Sequence, residues 1–325
     1  MRVTASPDTG GYTGARSPRL KAARRLTKRA FRQRERAFLA EGPQAVAEAF
    51  HCGAHVTDLF VTVPARSRHQ DLVAAIAAGG IPVHVVSGEV MDELAQTVTP
   101  QGLLAVCGFV DVPLAEVTSR GQPGLVVLLA NVRDPGNAGT VLRTADAAGA
   151  HAVIFADASV DPYNSKCVRA SAGSLFHLPV VAGASLQDAV AAMRDAGLRI
   201  VAADGRAGRS LDDAEVQARL ARPTAWMFGN EAWGLPPGLV ALADEPVAVP
   251  IYGRAESLNL AAAAAVCLYA SAHAQRVHRV TDQAGAQLAN GGLAYPGCNI
   301  ENSRLRTVTM PVHALQADHN PSPEP

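Results

Sequence analysis

"LVVLLANVRDPGNAGTVLRTADAAGA", residues 125–150, decides the fold class. Six consecutive apolar residues bounded by polar ones read as a strand buried on both faces, and the turn that follows leads into a helix over about 137–148. Such a strand belongs in a parallel sheet covered by helices, so the junction predicts an α/β architecture. Pro135 and Gly136 make the turn, Asn137 is expected to cap the helix, and Gly139 lets the backbone approach something closely. An ordinary structural turn accounts for all four of these residues. It does not account for Arg133 and Arg143, which suit a phosphate or another anion.

The same alternation continues in both directions. Downstream come "HAVIFA" (151–156), a loop and helix over 159–176, "LPVVA" (178–182), a helix near 185–196, "LRIVAA" (198–203), "TAWMFG" (224–229), "PVAVPI" (246–251) and a final helix over 257–274. This series predicts a mainly parallel sheet with its ligand site beyond the carboxyl ends of the strands. Upstream, "AFLAE", "VTDLFVTV", "IPVHVVS" and "LLAVCGFV" alternate with helical stretches to make a smaller α/β unit. The expected division is a flexible leader over 1–17, a first domain over 18–112, a linker over 113–123, a second domain over 124–276 and a flexible tail over 277–325. Ser17 and Pro18 are expected to open a single basic helix reaching about Arg36.

Composition excludes several classes. With 48% apolar and 18% charged residues the chain is globular rather than disordered. Its longest apolar stretch outside strands, "LNLAAAAAVCLYASA" (258–272), is interrupted by Asn259 and falls short of the ~20 residues of a membrane span. Five scattered cysteines without a C-x-x-C pair argue against a disulfide framework and for a reducing, cytoplasmic setting. An Arg-rich, acid-poor start resembles an organelle transit peptide as the weaker alternative. His51 and His55 in "HCGAH" lack a third ligand and read as ordinary histidines, so no metal is expected. The net charge of zero hides an asymmetry: residues 16–36 hold ten Lys/Arg and one acid, Glu35, a pattern that suits a polyanion such as RNA.

Two further junctions repeat the grammar of the first. In "TAWMFGNEAWGLPPG", Gly229, Asn230 and Glu231 follow a strand directly, so Glu231 can bond an amine, a hydroxyl or a nearby arginine. In "VAVPIYGRAESLNLAAAAAVCLYA", Pro250 ends a strand, Ser257 is expected to cap the last helix, and Asn259 lies in its first turn. The alanine run suits close packing at a subunit interface.

Together the three stretches resemble the signature motifs of the SpoU (TrmH-like) family of RNA ribose 2'-O-methyltransferases, within the SPOUT superfamily. The first motif is complete as Asn131, Arg133, Asp134, Pro135, Asn137, Gly139 and Arg143; the second is Gly229-Asn230-Glu231 with Gly234-Leu235; the third is Val249-Pro250-Ile251 with Ser257-Leu258-Asn259. "YNSKCVRASAGSLFHLPV" (163–180) is similar to the family's intervening segment, with Ser165 where the family often has proline. "RLTKRAFRQRERAFLAEGPQAVAEAF" and "TVTPQGLLAV" look like its RNA-binding N-terminal domain, related to ribosomal protein L30e. The resemblance spans about residues 18–275.

It implies an L30e-like α/β domain followed by a SPOUT domain with a deep trefoil knot, which periodicity alone never shows because knots run against the usual connection rules. It also implies S-adenosylmethionine as cofactor, held at Gly229, Val249 and Leu258, and a homodimer. Arg143 is then expected at the target phosphate and 2'-oxygen, with Asn137, Glu231, Ser257 and Asn259 orienting the site. The substrate it favours is large-subunit (23S) ribosomal RNA; transfer RNA and a non-catalytic RNA-binding or ribosome-assembly role are the alternatives. A nicotinamide-dependent Rossmann enzyme is excluded for want of G-x-G-x-x-G after the first strand of either domain.

Overall fold

The computed structural model describes residues 17–119 and 121–289. The expected leader, apart from Ser17, and the expected tail beyond Ala289 lie outside the described residues.

Four strands form the first sheet: β1 (Ala37–Glu41), β2 (Val56–Thr62), β3 (Val83–Val86) and β4 (Leu103–Gly108), in the order β1-β4-β2-β3. β4 runs antiparallel to both β1 and β2, and β3 pairs parallel to β2. Six strands form the second: β5 (Leu125–Ala130), β6 (Ala152–Ala156), β7 (Val180–Ala184), β8 (Arg199–Ala203), β9 (Thr224–Phe228) and β10 (Glu245–Val247), ordered β10-β8-β9-β5-β6-β7. Every pair in this second sheet is parallel. β5 shows why its sequence is apolar throughout: Leu125, Val127 and Leu129 enter one buried cluster, and Val126, Leu128 and Ala130 enter another on the opposite face.

The cluster on the first face of β5 also takes in Phe38, Leu59, Leu103 and Cys107 of the first sheet, so the two sheets share a core. Polar contacts reinforce the junction. Tyr163 accepts from the amides of Val110 and Asp111 at 2.9 and 2.7 Å and donates to the Asp111 carboxylate at 2.6 Å. Its ring packs 3.8 Å from that of Phe109 and 4.8 Å from that of Phe38, centroid to centroid. Burial and the Asp111 carboxylate push the Tyr163 hydroxyl pKa well up, so it stays a donor.

The basic helix is not single. It divides into Pro18–Arg25 and Arg29–Glu35, because Leu26 turns inward to bury beside Leu20 and Ala23 while Arg32 folds back to the carbonyls of Leu26 and Thr27, each at 3.0 Å. Ser17 occupies the N-cap position with Pro18 behind it, but its side chain makes no capping bond. Among the described basic residues of this segment, five are engaged in ion pairs: Arg19 with Asp58, Arg24 with Glu93, Arg32 with Asp161, Arg34 with Glu35 and Arg36 with Asp111. The Arg32–Asp161 pair is buried, 2.7 Å long, and joins the basic segment to the loop after β6. Part of the basic run is therefore structural.

Other elements also differ from expectation: the strand read over 246–251 covers only Glu245–Val247, so Pro250 lies beyond its end. The stretch read as a linker holds a helix, Leu114–Ser119, whose Val117 packs into the second core, and Val112 donates to Val180 at 2.8 Å. The last helix runs Leu260–Ala289, starting later and ending later than 257–274. Its cap is Asn259, which accepts from the amides of Ala261 and Ala262 at 2.9 and 3.4 Å; Ser257 lies two residues ahead of that cap and does not serve it. Farther along, Ser271 accepts from the Trp226 indole at 2.8 Å and Gln275 donates to the Gly124 carbonyl at 2.8 Å, which anchors the helix beneath β5 and β9.

Candidate active site

The three junctions meet at one end of the second sheet. After β5, Asn131 takes a left-handed conformation with φ +58°, held by Asn230, whose Nδ2 donates to the Asn131 carbonyl at 3.0 Å. Val132 is buried, its amide bonded to Ser159, so the turn leaves the amides of Arg133 and Asp134 facing the second junction. Glu231 accepts both of them, at 3.1 and 3.0 Å, and a third bond from Asn137 Nδ2 at 3.3 Å. The carboxylate thus grips the backbone of the first motif rather than an arginine side chain. Asn137 in turn accepts from Asn259 Nδ2 at 3.0 Å. Asn259, Asn137 and Glu231 form a continuous relay across all three junctions.

Helix Pro135–Ala148 is capped by Asp134, whose Oδ1 accepts from the Asn137 amide at 2.8 Å; Asn137 therefore sits one turn in, with its side chain free for the relay. Lys166 binds the other oxygen of Asp134 at 2.7 Å. The Lys166 hydrogen bond and the capped amides hold the Asp134 carboxyl below the usual carboxylate range, against a smaller opposing effect of burial. The close approach expected at Gly139 is to another helix: a Cβ there would lie 2.3 Å from the Cys167 carbonyl.

Gly229 and Gly234 close the second junction. The Asn230 amide and Gly234 carbonyl pair at 3.0 Å, the reverse pair at 2.8 Å, and a Cβ on Gly229 would fall 2.4 Å from the Gly234 carbonyl carbon. No residue but glycine fits at 229 without moving the turn.

Beyond the carboxyl ends of β8, β9 and β10 lies a cleft of about 300 Å³. Gly229, Val249 and Leu258 line it, as do Glu231 and Ser257. Asn137 and Asn259 stand behind Glu231, outside the lining. Arg143 also lies outside it: the side chain is exposed on helix Pro135–Ala148 and makes no hydrogen bond or ion pair among the described residues. Asp204 and Glu256 complete the acidic lining and were not anticipated. Asp204 follows the apolar run of β8 just as Glu231 follows that of β9, and that shared grammar was the available signal. Burial is the largest single influence on Asp204 and opposes ionisation, but the hydrogen bonds from the Arg206 side chain and amide, with its charge, together hold the carboxyl below the usual carboxylate range.

The cleft suits a cationic, partly apolar ligand: Val247, Val249, Ile251 and Leu258 offer apolar walls, and Asp204, Glu231 and Glu256 offer negative charge. A three-strand-end cleft in a parallel sheet, bordered by a rigid polar relay, defines a small-ligand site of α/β type.

Comparison with known proteins gives that class a family. Residues 124–269 match the SpoU rRNA Methylase family model, and residues 17–105 match the model of an MRM3-like substrate binding domain. The chain is 32% identical over 257 residues to the 23S rRNA (guanosine(2553)-2'-O)-methyltransferase RlmP of Bacillus subtilis, covering 78% of this chain and 96% of the relative. It is 33% identical over 230 residues to the 23S rRNA (guanosine-2'-O-)-methyltransferase RlmB of Bordetella pertussis, covering 70% and 92%. Among solved structures, the AdoMet-bound rRNA methyltransferase of Sinorhizobium meliloti aligns with TM-score 0.70 at 31% identity, over 80% of this chain and 96% of that one. AviRb of Streptomyces viridochromogenes in complex with AdoMet aligns with TM-score 0.69 at 29% identity, over 81% and 100%. The chain belongs to the SpoU methylase family.

Proposed function

We propose that this protein transfers a methyl group from S-adenosylmethionine to a ribose 2'-hydroxyl of large-subunit ribosomal RNA. The observation that carries the reading is the relay Asn259–Asn137–Glu231, which assembles the three family motifs on the border of a cleft that the expected cofactor residues line. Gly229, Val249 and Leu258 would hold the cofactor, and the acidic lining is matched to its cationic sulfonium and ammonium groups. When bound, that cofactor supplies the electrophilic methyl group.

The chain's own residues orient and polarise. Glu231 fixes the Arg133–Asn137 turn, and with it the N-terminus of the helix that carries Arg143. Arg143 has no competing partner among the described residues and is free for an RNA phosphate and the 2'-oxygen. A guanidinium group stays protonated in proteins and is a poor base, so the role of Arg143 is electrostatic stabilisation of the developing alkoxide while phosphate or water takes the proton.

Residues 18–112 would supply RNA contacts and residues 124–276 the chemistry. A homodimer is supported by Val266, Tyr269, Val277 and Val280, exposed along one face of the last helix at spacings of three, eight and three residues. A trefoil knot is consistent with β9 lying between β5 and β8 while the last helix returns from β10 to pack beneath β5 and β9. No helix among the described residues is long and apolar enough to cross a membrane, and a cytoplasmic site of action accords with the substrate. Labelled methyl transfer to unmodified 23S transcript and to transfer RNA tests the assignment: label in the ribosomal transcript alone is expected, and label in transfer RNA alone would overturn the substrate.

A further inference from the structure

A second cavity, of about 330 Å³, lies between the end of β1 and the helix Ser165–Ser171. Its charged residues are Glu41 and Arg169, joined at 2.7 Å from Nη1 to Oε2. The Glu41 side chain is only 5% exposed, yet its other oxygen accepts no hydrogen bond among the described residues. That oxygen is not sealed from solvent, so it can accept from whatever enters the cavity. Around the pair Gln44, Thr97, Thr99 and Gln101 line the cavity, and none of these four side chains makes a hydrogen bond among the described residues. A cavity of this size rimmed by idle amides and hydroxyls has room for a planar heterocycle and the means to hold its edge.

We propose that this cavity takes one unstacked guanine base of the RNA substrate; the proposal rests on the methyltransferase reading. Glu41 rules out a phosphate, which it would repel. Among bases, guanine alone presents two adjacent donors, N1–H and N2–H, beside an acceptor, O6. The carboxylate takes the donors and Arg169 reaches the acceptor, whereas each other base turns at least one acceptor toward the carboxylate. Flipped and unpaired bases are the usual targets of sequence-specific RNA recognition.

The pocket is also wired to the active site. Arg169 shares its helix with Lys166, which binds Asp134 at the cap of helix Pro135–Ala148, and with Ser165, which donates to Gln96. Arg169 itself donates to the Gln96 carbonyl at 3.1 Å. The wall that would hold the base is thus tied to the cap of helix Pro135–Ala148, and saturating RNA should seat the base there even in variants that bind it less tightly.

The experiment uses the full chain and unmodified 23S transcript, with the double variant Gln44→Ala/Gln101→Ala and, separately, Glu41→Gln. KM for RNA should rise at least tenfold in both, with kcat at saturating RNA and the cofactor KM unchanged and with melting temperature retained in the double variant, whose residues are exposed. An RNA KM within twofold of wild type in the double variant would overturn the proposal. Filter binding gives a readout independent of methyl transfer: guanosine monophosphate should displace the transcript from wild type at lower concentration than the other three nucleoside monophosphates. Equal displacement by all four removes the guanine assignment. A wild-type protein that shows this preference without transferring methyl would overturn the enzymatic reading and leave the pocket standing.

Discussion

Asn259 Nδ2 donates to Asn137 Oδ1 at 3.0 Å, so the cap of the last helix and the first turn of helix Pro135–Ala148, 122 residues apart, hold one another. The same Asn259 uses its oxygen to cap its own helix. Substitution can separate the two jobs. Asn259→Asp keeps a good cap but replaces the donor by an acceptor facing Asn137, whose other end already meets Glu231. Melting temperature should change little while kcat falls tenfold or more. Asn259→Ala should lose the cap as well, at about 1 kcal/mol by denaturant unfolding. Equal stability losses in both variants would show that the relay has no separate role.

Glu231 accepts two backbone amides with its two oxygens. Glu231→Gln leaves one of those amides facing an NH2 group, so the Arg133–Asn137 turn should loosen. Turnover is expected to fall about a hundredfold, a change worth roughly 2.7 kcal/mol at 1.36 kcal/mol per tenfold. Wild-type turnover in this variant would remove Glu231 from the site.

Arg143→Lys keeps the positive charge but loses the planar fork that matches phosphate. A kcat loss of tenfold or more is expected with folding unchanged, because the residue is exposed and unpartnered among the described residues. Near-normal turnover would show that a point charge suffices and remove the argument from guanidinium geometry.

Buried and paired, Arg32 and Asp161 behave as structure rather than as an RNA contact. Arg32→Ala strands a buried carboxylate and should cost ~3–5 kcal/mol in urea unfolding. The double change Arg32→Met/Asp161→Leu removes the stranded charge and should recover part of that loss, the Leu26 and Thr27 carbonyls and the Tyr163 amide being left unpaired, and should leave RNA affinity within a few-fold. Loss of RNA affinity in the refolded double variant would return Arg32 to the RNA-binding surface.

Acid should weaken the catalytic turn through Asp134. Its pKa is lower in the folded state, so its stabilising effect is full above the unfolded value, ~3.9, and is lost as pH falls through the lower folded value. Lys166→Met removes the largest cause of that shift, and a carboxyl-carbon NMR titration of Asp134 should then move upward toward the ordinary value. An unmoved titration would mean that Lys166 does not hold the cap.

Much of this was legible because local signals agreed. The apolar run of β5 announced a strand buried on both faces, whereas Pro135 and Gly136, read as a turn, are instead the first two residues of the helix, behind the cap Asp134. The expected cofactor residues Gly229, Val249 and Leu258 do converge on one cleft. What escaped was decided by tertiary partners. Asp161, more than a hundred residues away, turned Arg32 inward, and nothing in the basic run announced it. The capping of the last helix went to Asn259 instead of Ser257, two good caps within three residues that local preference cannot rank. Asp134 likewise displaced Asn137 as cap, which freed Asn137 for the relay. Glu41 gave no signal as a strand residue; only the cavity beside it reveals an idle oxygen.

The central claim is the chemistry at the ribose. Unmodified 23S transcript labelled by the full-length protein with S-adenosylmethionine should be hydrolysed in alkali and the labelled fragments sized. The account predicts label confined to one alkali-resistant dinucleotide, because a 2'-O-methyl group blocks cleavage at its own linkage. Label recovered on a free mononucleotide would place the methyl on a base and contradict it.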